Sequence, residues 1–209
     1  MFNKAHIFPI IQAFSGTETV NHFFGQKSTD ITIYDRLDLN ALESAVKRQV
    51  IARKYLPNPW CMTILDDVSE DSNLFARPVV KAIMTKGRHL AMLFILAVQY
   101  ALDLKPAMRT CIDYLFILPN SIPMDRQKLY ENFASIVPTY QDFCDIMDSL
   151  EDHMSLVIDN TIASSKIQDR VFYYRADPSI IPDGWKIGCP DAWKFHEERI
   201  DPNYQPSII

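Results

Sequence analysis

The chain has 209 residues and a formal charge of −5 at pH 7, and 48% of its residues are hydrophobic against 22% charged. This composition is ordinary for a globular protein and predicts one domain with a sizeable core. It predicts no membrane-spanning helix, because no apolar run approaches roughly 18 residues, and the first residues given lack the apolar core typical of a signal peptide. The negative charge disfavours a surface coated by nucleic acid, but not a local basic loop.

The cysteines and histidines do not form a recognisable metal site. The cysteines lie far apart, with no Cys-x-x-Cys spacing, which predicts a reducing compartment without disulfides or structural zinc. No pair of the five histidines has the spacing of a metalloprotease helix.

The first predicted elements are a strand, a polar turn and a long helix. Residues 6–14 (HIFPIIQAF) predict the strand, and the turn follows at 15–19. Asp38 is a candidate N-cap for a helix over residues 39–55, which ends before two prolines. The basic residues in the second half of this helix fit a solvated face at the negative end of the helix dipole, which we favour over a contact with nucleic acid.

The next strand ends in two adjacent carboxylates. Residues 61–65 (CMTIL) are apolar apart from one threonine, and Asp66 and Asp67 follow directly. This pattern is typical of a strand buried on both faces whose carboxyl end opens into a site. It is also the form of a Walker B segment, in which the first acid helps to hold magnesium and the second orients water. On its own, the pattern is a weak match, and we favour a buried strand of an α/β protein that binds no nucleotide.

A helix over residues 74–85 and an apolar strand over 90–98 complete a predicted right-handed βαβ unit. Gln99 ends this second strand, so we expect Asp67 and Gln99 at the same edge of the sheet. The elements predicted further along are a short helical turn at 106–111, a strand at 112–118, helices at 124–134 and 139–151, and a hairpin of strands at 153–159 and 169–174.

These elements predict an α/β fold, with a mostly parallel sheet flanked by helices. We expect a single domain over residues 1–209, with a core over 1–175 and a small, irregular, proline-rich C-terminal extension over 176–209 whose last ten residues are poorly ordered. No phosphate-binding loop occurs in the sequence. The nearest match, Gly25-Gln-Lys-Ser28, lacks the glycine directly before lysine and predicts an exposed turn.

Seven short motifs occur in an order that resembles the DNA-packaging ATPases of poxviruses and other large DNA viruses of eukaryotes, which are relatives of the FtsK and HerA motor proteins. The similarity extends from about residue 7 to about residue 195. The motifs are Phe14-Ser-Gly-Thr-Glu18, Lys47-Arg-Gln49, Ile64-Leu-Asp-Asp67, Gly87-Arg-His89, Gln99-Tyr100, Met108-Arg-Thr-Cys-Ile-Asp-Tyr114 and Leu129-Tyr-Glu-Asn132.

The resemblance implies a RecA-like P-loop NTPase core and a ring-shaped motor that uses ATP and Mg²⁺ to thread double-stranded DNA into a capsid. Asp66 resembles the acid that orders magnesium through water. Asp67 takes a place often filled by glutamate and would polarise the attacking water, and Gln99 resembles the polar sensor of the γ-phosphate or the water. Arg88, or as second choice Arg109, resembles the arginine that reaches a neighbouring subunit's nucleotide, although either also fits a structural ion pair.

The family's Walker A portion is missing from these residues, so the resemblance implies a core that is truncated at its N-terminus and inactive alone. It would work with an upstream Walker A fragment or an intact paralogue in a homo-oligomeric ring. The missing strand normally lies between the strands at 90–98 and 112–118, which must then close together or leave unpaired edges, and an isolated chain would be less stable and prone to association.

The implied partners are double-stranded DNA and the capsid portal or membrane-associated assembly proteins, and the implied location is the viral assembly site in the host cytoplasm, or the virion. Two rival hypotheses stay open. One is a non-enzymatic paralogue that acts as an assembly or scaffolding module in virion morphogenesis, and the other is an unrelated α/β binding domain.

Overall fold

The computed structural model describes residues 8–29, 32–68, 73–99 and 104–199. The chain divides into two compact units, which are Met1–Gln99 with Gly184–Ile209, and Tyr100–Asp183. Each unit is described by itself, and the single domain stays a prediction. The expectations for residues 6 and 7, for most of the loop after Asp67, for Tyr100 and for the last ten residues lie outside the described residues.

The first unit contains a four-stranded parallel sheet in the order β2-β1-β3-β4. Its two inner strands are buried on both faces, and this explains their near-continuous apolar sequences. The strands predicted around residues 6–14, 61–65 and 90–98 are confirmed over the described residues. The bounds are β1 Ile10–Ser15, β2 Ile33–Tyr34, β3 Cys61–Asp66 and β4 Met92–Ala97.

Three helices connect these strands. They are α1 Glu18–Asn21, α2 Leu39–Tyr55 and α3 Pro78–Lys86. The helix predicted over residues 74–85 is interrupted, because a 3-10 turn at Leu74–Ala76 precedes α3. Pro78 explains the break, since proline disfavours the helical conformation of the preceding residue and itself suits the first position of a helix. Within the described residues, no helix has the length and apolarity needed to cross a membrane.

Helix α2 has the bounds that the sequence predicts. The Asp38 carboxylate accepts hydrogen bonds from the backbone N–H groups of Asn40 at 2.8 Å and Ala41 at 3.0 Å, as an N-cap does. Near its other end, the buried Gln49 side chain donates to the carbonyl oxygens of Pro59 at 2.7 Å and Leu90 at 3.1 Å. These carbonyls precede β3 and β4, so α2 holds the amino edge of the sheet.

The second unit contains an antiparallel sheet in the order β5-β6-β7. One face of this sheet packs on two helices around Phe143 and Met147, so the predicted helices and late hairpin are confirmed. The strands are β5 Tyr114–Ile117, β6 Met154–Asp159 and β7 Val171–Arg175, and the helices are α4 Pro106–Arg109, α5 Pro123–Phe133, α6 Tyr140–Ser149 and α7 Ile167–Arg170.

Strands β4 and β5 are each the last strand of their own sheet. Over the described residues, β4 pairs only with β3 and β5 pairs only with β6. Large apolar side chains stay exposed on both strands, including Ile95 at 40% and Phe116 at 55%. Within its own sheet, each of the two strands therefore has one edge with no paired strand over the described residues.

The chain returns to the first unit after a 3-10 turn at Pro178–Ile180. The backbone N–H of Ile187 donates to the carbonyl of Lys27 at 2.7 Å, and that of Cys189 donates to the carbonyl of Pro9 at 2.8 Å. Helix α8, Pro190–Glu197, follows. The extension was expected to be irregular, and this stretch corrects that expectation: Pro190 begins a helix, because the first helical position needs no N–H donor.

Candidate functional site

Asp66 and Asp67 lie at the carboxyl edge of the parallel sheet. Asp66 ends β3, and its register partners are Ser15 on β1 and Ala97 on β4. The Gln99 side chain donates a hydrogen bond from Nε2 to Asp67 Oδ1 at 3.1 Å. The expectation that the βαβ unit brings Asp67 and Gln99 to one edge is therefore confirmed, while their catalytic roles stay predictions.

The backbone of Asp67 is held in an unusual conformation. Its φ angle is +49°, in the left-handed region that few residues other than glycine adopt. The N–H of Asp67 donates to the carbonyl of Ala97 at 3.4 Å, and the N–H of Gly16 donates to the carbonyl of Asp66 at 3.3 Å. A Cβ atom on Gly16 would lie 2.8 Å from the Asp67 carbonyl oxygen, so the turn after β1 packs directly against the two acids.

Ser15, the last residue of β1, contacts Asp66 and is linked to side chains further along the chain. Ser15, which is 1% exposed, donates from Oγ to Asp66 Oδ2 at 2.9 Å. Ser15 Oγ lies 3.1 Å from Thr17 Oγ1, and Asn21 Nδ2 donates to Thr17 Oγ1 at 3.2 Å. Sequence reasoning assigned no role to these residues. The signal that was available is the polar Ser-Gly-Thr turn directly after a strand that is parallel to β3.

The nearby Glu18 is buried but has a structural role. Its two carboxylate oxygens accept hydrogen bonds from the backbone N–H groups of Phe24 at 3.0 Å and Gly25 at 2.7 Å. Among the described residues, the acids at the candidate site whose carboxylates are not used by a backbone turn are therefore Asp66 and Asp67. Among the described residues, no three His, Cys, Asp or Glu side chains gather in a group that could hold a metal by themselves. Two carboxylates beside hydroxyl groups fit Mg²⁺, which typically binds one or two carboxylates together with substrate phosphates.

Arg88 lies at the opposite edge of the sheet from the acids. It is exposed in the 3-10 turn Gly87–Leu90, which precedes β4, whereas Asp66 and Gln99 follow their strands. A strand of six residues spans about 20 Å. Arg88 is therefore separated from the acids of its own chain by the length of the sheet.

Arg109 belongs to the second unit and is engaged there. Its Nε donates to the carbonyl of Leu104 at 2.8 Å, and its guanidinium group donates to the side-chain oxygen of Asn132. The guanidinium carbon lies 5.1 Å from the centre of the Phe133 ring. Arg109, Asn132 and Phe133 line a cavity of about 330 Å³, and Asn160 lines it as well. These contacts agree with the alternative interpretation of Arg109 as a structural residue.

No family model matches the chain, but proteins of several large DNA viruses do. Protein 088R of Invertebrate iridescent virus 3 is 42% identical over 97% of this chain and 78% of its own length. Protein 075L of Invertebrate iridescent virus 6 is 30% identical, covering 98% of this chain and 80% of the relative. Protein 015R of Frog virus 3 is 31% identical over 90% of this chain and 61% of its own length.

Solved structures of similar fold are viral genome-packaging NTPases. The B204 NTPase of Sulfolobus turreted icosahedral virus 2, in complex with AMPPCP, superposes with a TM-score of 0.57 at 16% identity, over 83% of this chain and 85% of that one. B204 of Sulfolobus turreted icosahedral virus, a DNA-packaging ATPase, gives a TM-score of 0.59 at 16% identity with the same coverage. The chain therefore has the α/β fold of these packaging NTPases, and it belongs to the family of large-DNA-virus proteins that includes 088R and 075L.

Proposed function

We propose that the chain is a viral DNA-packaging ATPase-like protein that contributes the acid and sensor half of a site for ATP hydrolysis. Hydrolysis there is coupled to translocation of double-stranded DNA into the capsid. The proposal rests on one observation above all. Two adjacent acids end an inner strand of a parallel sheet, and Gln99 from the neighbouring strand binds Asp67 at 3.1 Å, in a fold shared with genome-packaging NTPases.

In this proposal Asp67 is the general base and Gln99 orients it. The hydrogen bond to Oδ1 restricts the carboxylate to one direction, which favours proton abstraction from a correctly placed water. An aspartate reaches about one methylene less far than the glutamate common in this position, so the water must lie closer to the strand. Asp66 is assigned to Mg²⁺, which when bound neutralises charge on the β- and γ-phosphates.

In our proposal the phosphate-binding half of the site comes from outside these 209 residues, since no Gly-x-x-x-x-Gly-Lys-Ser/Thr segment occurs within them. That loop supplies the backbone N–H groups and the lysine that bind the phosphates. An upstream Walker A segment or an intact paralogue fills this role in our proposal. In the same proposal the protein works in a ring, as a relative of the FtsK and HerA motors. Its location is the viral assembly site in the host cytoplasm, near the capsid portal.

Arg88 is the better candidate for the arginine that acts on a neighbouring subunit. It is exposed at the amino edge of the sheet, about a strand's length from its own acids, so a nucleotide that it reaches belongs to another subunit. Arg109 is the second candidate, and its guanidinium group contacts Leu104, Asn132 and Phe133 within its own unit.

The proposal is tested by ATP hydrolysis with the chain alone and with a partner that carries the phosphate-binding loop. We expect turnover only with the partner, and we expect Asp67→Asn to lower it by at least about 100-fold, as loss of a general base does. Thermal melting of the variant should match the wild type. Asp35→Asn, which removes an exposed acid, is the matched control and should keep full turnover.

Two results would contradict the proposal. Robust turnover by the lone chain would refute the claim that the chain needs a phosphate-binding loop from a partner. Full turnover by Asp67→Asn would refute the assignment of Asp67 as the general base. The same absence of a loop favours the rival function, a non-enzymatic assembly module. That rival predicts that virus carrying Asp67→Asn still assembles DNA-filled capsids.

A further inference from the structure

We propose that Ser15, Thr17 and Asn21 form a hydrogen-bond relay that positions the Asp66 carboxylate for a divalent cation. The inference rests on the proposed function, because Asp66 is the acid assigned to the cation there. Ser15 ends β1, Thr17 lies in the turn that follows, and Asn21 ends α1. None of the three side chains touches the nucleotide in this proposal. They are therefore positioning residues and act through Asp66.

The direction of the relay follows from the number of protons on each group. Asp66 Oδ2 accepts the hydrogen bond from Ser15 Oγ at 2.9 Å, and this bond uses the single hydroxyl proton of Ser15. The contact of 3.1 Å between Ser15 and Thr17 must then use the proton of Thr17. Asn21 donates in turn to Thr17 Oγ1 at 3.2 Å. All donors point towards Asp66, and aligned hydrogen bonds of this kind strengthen one another.

The cap of α1 supplies a second observation. Thr17 is the N-cap residue of α1, a position where a threonine hydroxyl normally accepts from a backbone N–H of the first turn. Its side chain makes no such bond here. The Thr17 hydroxyl instead lies between Ser15 and Asn21. The usual stabilisation of the helix end is thus absent, and the hydroxyl contacts the site instead.

The relay leaves Asp66 able to bind a cation. A carboxylate offers about four lone-pair positions on its two oxygens, and the bond from Ser15 uses one of them on Oδ2. Ser15 is itself fixed, because it is buried and lies directly opposite Asp66 in the β1–β3 register. Hydrogen-bond partners that orient a metal-binding carboxylate typically contribute about 10- to 100-fold to metal affinity or activity.

The experiment measures Mn²⁺ binding to the full chain from the paramagnetic broadening of NMR signals. Broadening in the wild type should centre on Asp66 and its neighbour Ala97. We expect Ser15→Ala to weaken the apparent affinity about tenfold. Thr17→Val, which removes a neutral bond of roughly half the strength of a charge-assisted one, should weaken it about threefold.

Two variants serve as matched controls. Ser28→Ala removes another buried serine hydroxyl of the same unit, one that has no hydrogen-bond partner among the described residues. Its Mn²⁺ affinity should equal that of the wild type. Thr17→Ser keeps the hydroxyl and should also bind normally. These controls separate the relay from general loosening of the fold, which would affect all four variants.

Three outcomes overturn the relay: no broadening near Asp66 in the wild type, wild-type affinity in Ser15→Ala, or equal weakening in Ser15→Ala and Ser28→Ala. If Ser15→Ala does not fold, Thr17→Val decides alone, and unchanged affinity in it overturns the relay. The Mn²⁺ measurement does not depend on turnover. If hydrolysis fails but Ser15→Ala and Thr17→Val weaken Mn²⁺ binding as expected, only the proposed function is refuted. If turnover depends on Asp67 but the variants bind Mn²⁺ as the wild type does, only the relay is refuted.

Discussion

Two strands of this protein end in the same way and differ in what holds the final acid. Strand β3 has the sequence CMTILD and β6 has MSLVID. Asp159, at the end of β6, accepts hydrogen bonds at Oδ1 from the backbone N–H of Thr161 at 2.7 Å and from its hydroxyl at 2.6 Å. Asp66, at the end of β3, accepts from Ser15, which lies 51 residues earlier on another strand.

The difference follows from the two sheets. In a parallel sheet all carboxyl ends of the strands meet at one edge, so polar residues after β1, β3 and β4 gather around Asp66 and Asp67. In the antiparallel sheet the neighbours of β6 run the other way, and Asp159 is bound by its own loop. In this protein, the aspartate that ends a strand with parallel neighbours is therefore the one that polar residues from other strands reach.

The largest effect expected from this comparison is on cation binding. We predict that Asp66→Asn abolishes Mn²⁺-induced broadening of NMR signals, because it removes the carboxylate assigned to the cation. Asp159→Asn should leave the broadening unchanged, since the local turn already uses that carboxylate. Broadening centred on Asp159 in the wild type would contradict the distinction between the two strand ends.

A smaller effect is expected from Gly16→Ala. The new Cβ would lie 2.8 Å from the carbonyl oxygen of Asp67, so the turn or the β3 end must shift. Overpacking of this kind costs about 2 kcal/mol in the free energy of unfolding. Urea denaturation measures this loss.

The control for this prediction is Gly87→Ala. Gly87 has a helical φ of −55°, and the nearest atoms to its added Cβ lie at 3.6 Å, an ordinary contact. The free energy of unfolding of the Gly87→Ala variant should stay the same or rise by up to about 1 kcal/mol, because alanine restricts the unfolded chain. Equal destabilisation by both substitutions would show that the contact between Gly16 and Asp67 is not the cause.

Much of the fold was predictable because its signals are local. Helix α2 has both predicted bounds, since the Asp38 cap, the apolar periodicity and the prolines after it all lie within one segment. The strand that ends in Asp66 was clear for the same reason, as apolar strand and acid are adjacent. The two-residue strand β2 was missed, because it is defined by its pairing with β1, about 20 residues earlier in the chain, and no local sequence pattern reports that pairing.

The site was predictable in part. A βαβ unit has a fixed hand, so the sequence placed Asp67 and Gln99 at one edge. The contact between Ser15 and Asp66 requires the register of β1 against β3, which strand sequences alone do not specify. The positions of Arg88 and Arg109 show the same limit. A basic residue in a motif is visible in the sequence, but the sheet edge or the unit where it lies is not.

The smallest effect expected concerns Asp159 and depends on pH. The Thr161 hydroxyl bond, with backbone N–H groups beside it, lowers the pKa of the Asp159 carboxyl below its ordinary value. A carboxyl with a lowered pKa stabilises the folded state above its unfolded pKa, about 3.9, and this contribution is lost as pH falls through the folded pKa. We therefore predict that Thr161→Val lowers the free energy of unfolding at pH 7, and that the difference from wild type shrinks progressively below about pH 4. Urea denaturation across this pH range measures the difference in the free energy of unfolding. The control variant Thr161→Ser should behave as the wild type. If the difference between Thr161→Val and wild type stays undiminished at low pH, packing of Thr161, rather than its bond to the ionised Asp159, stabilises this strand end.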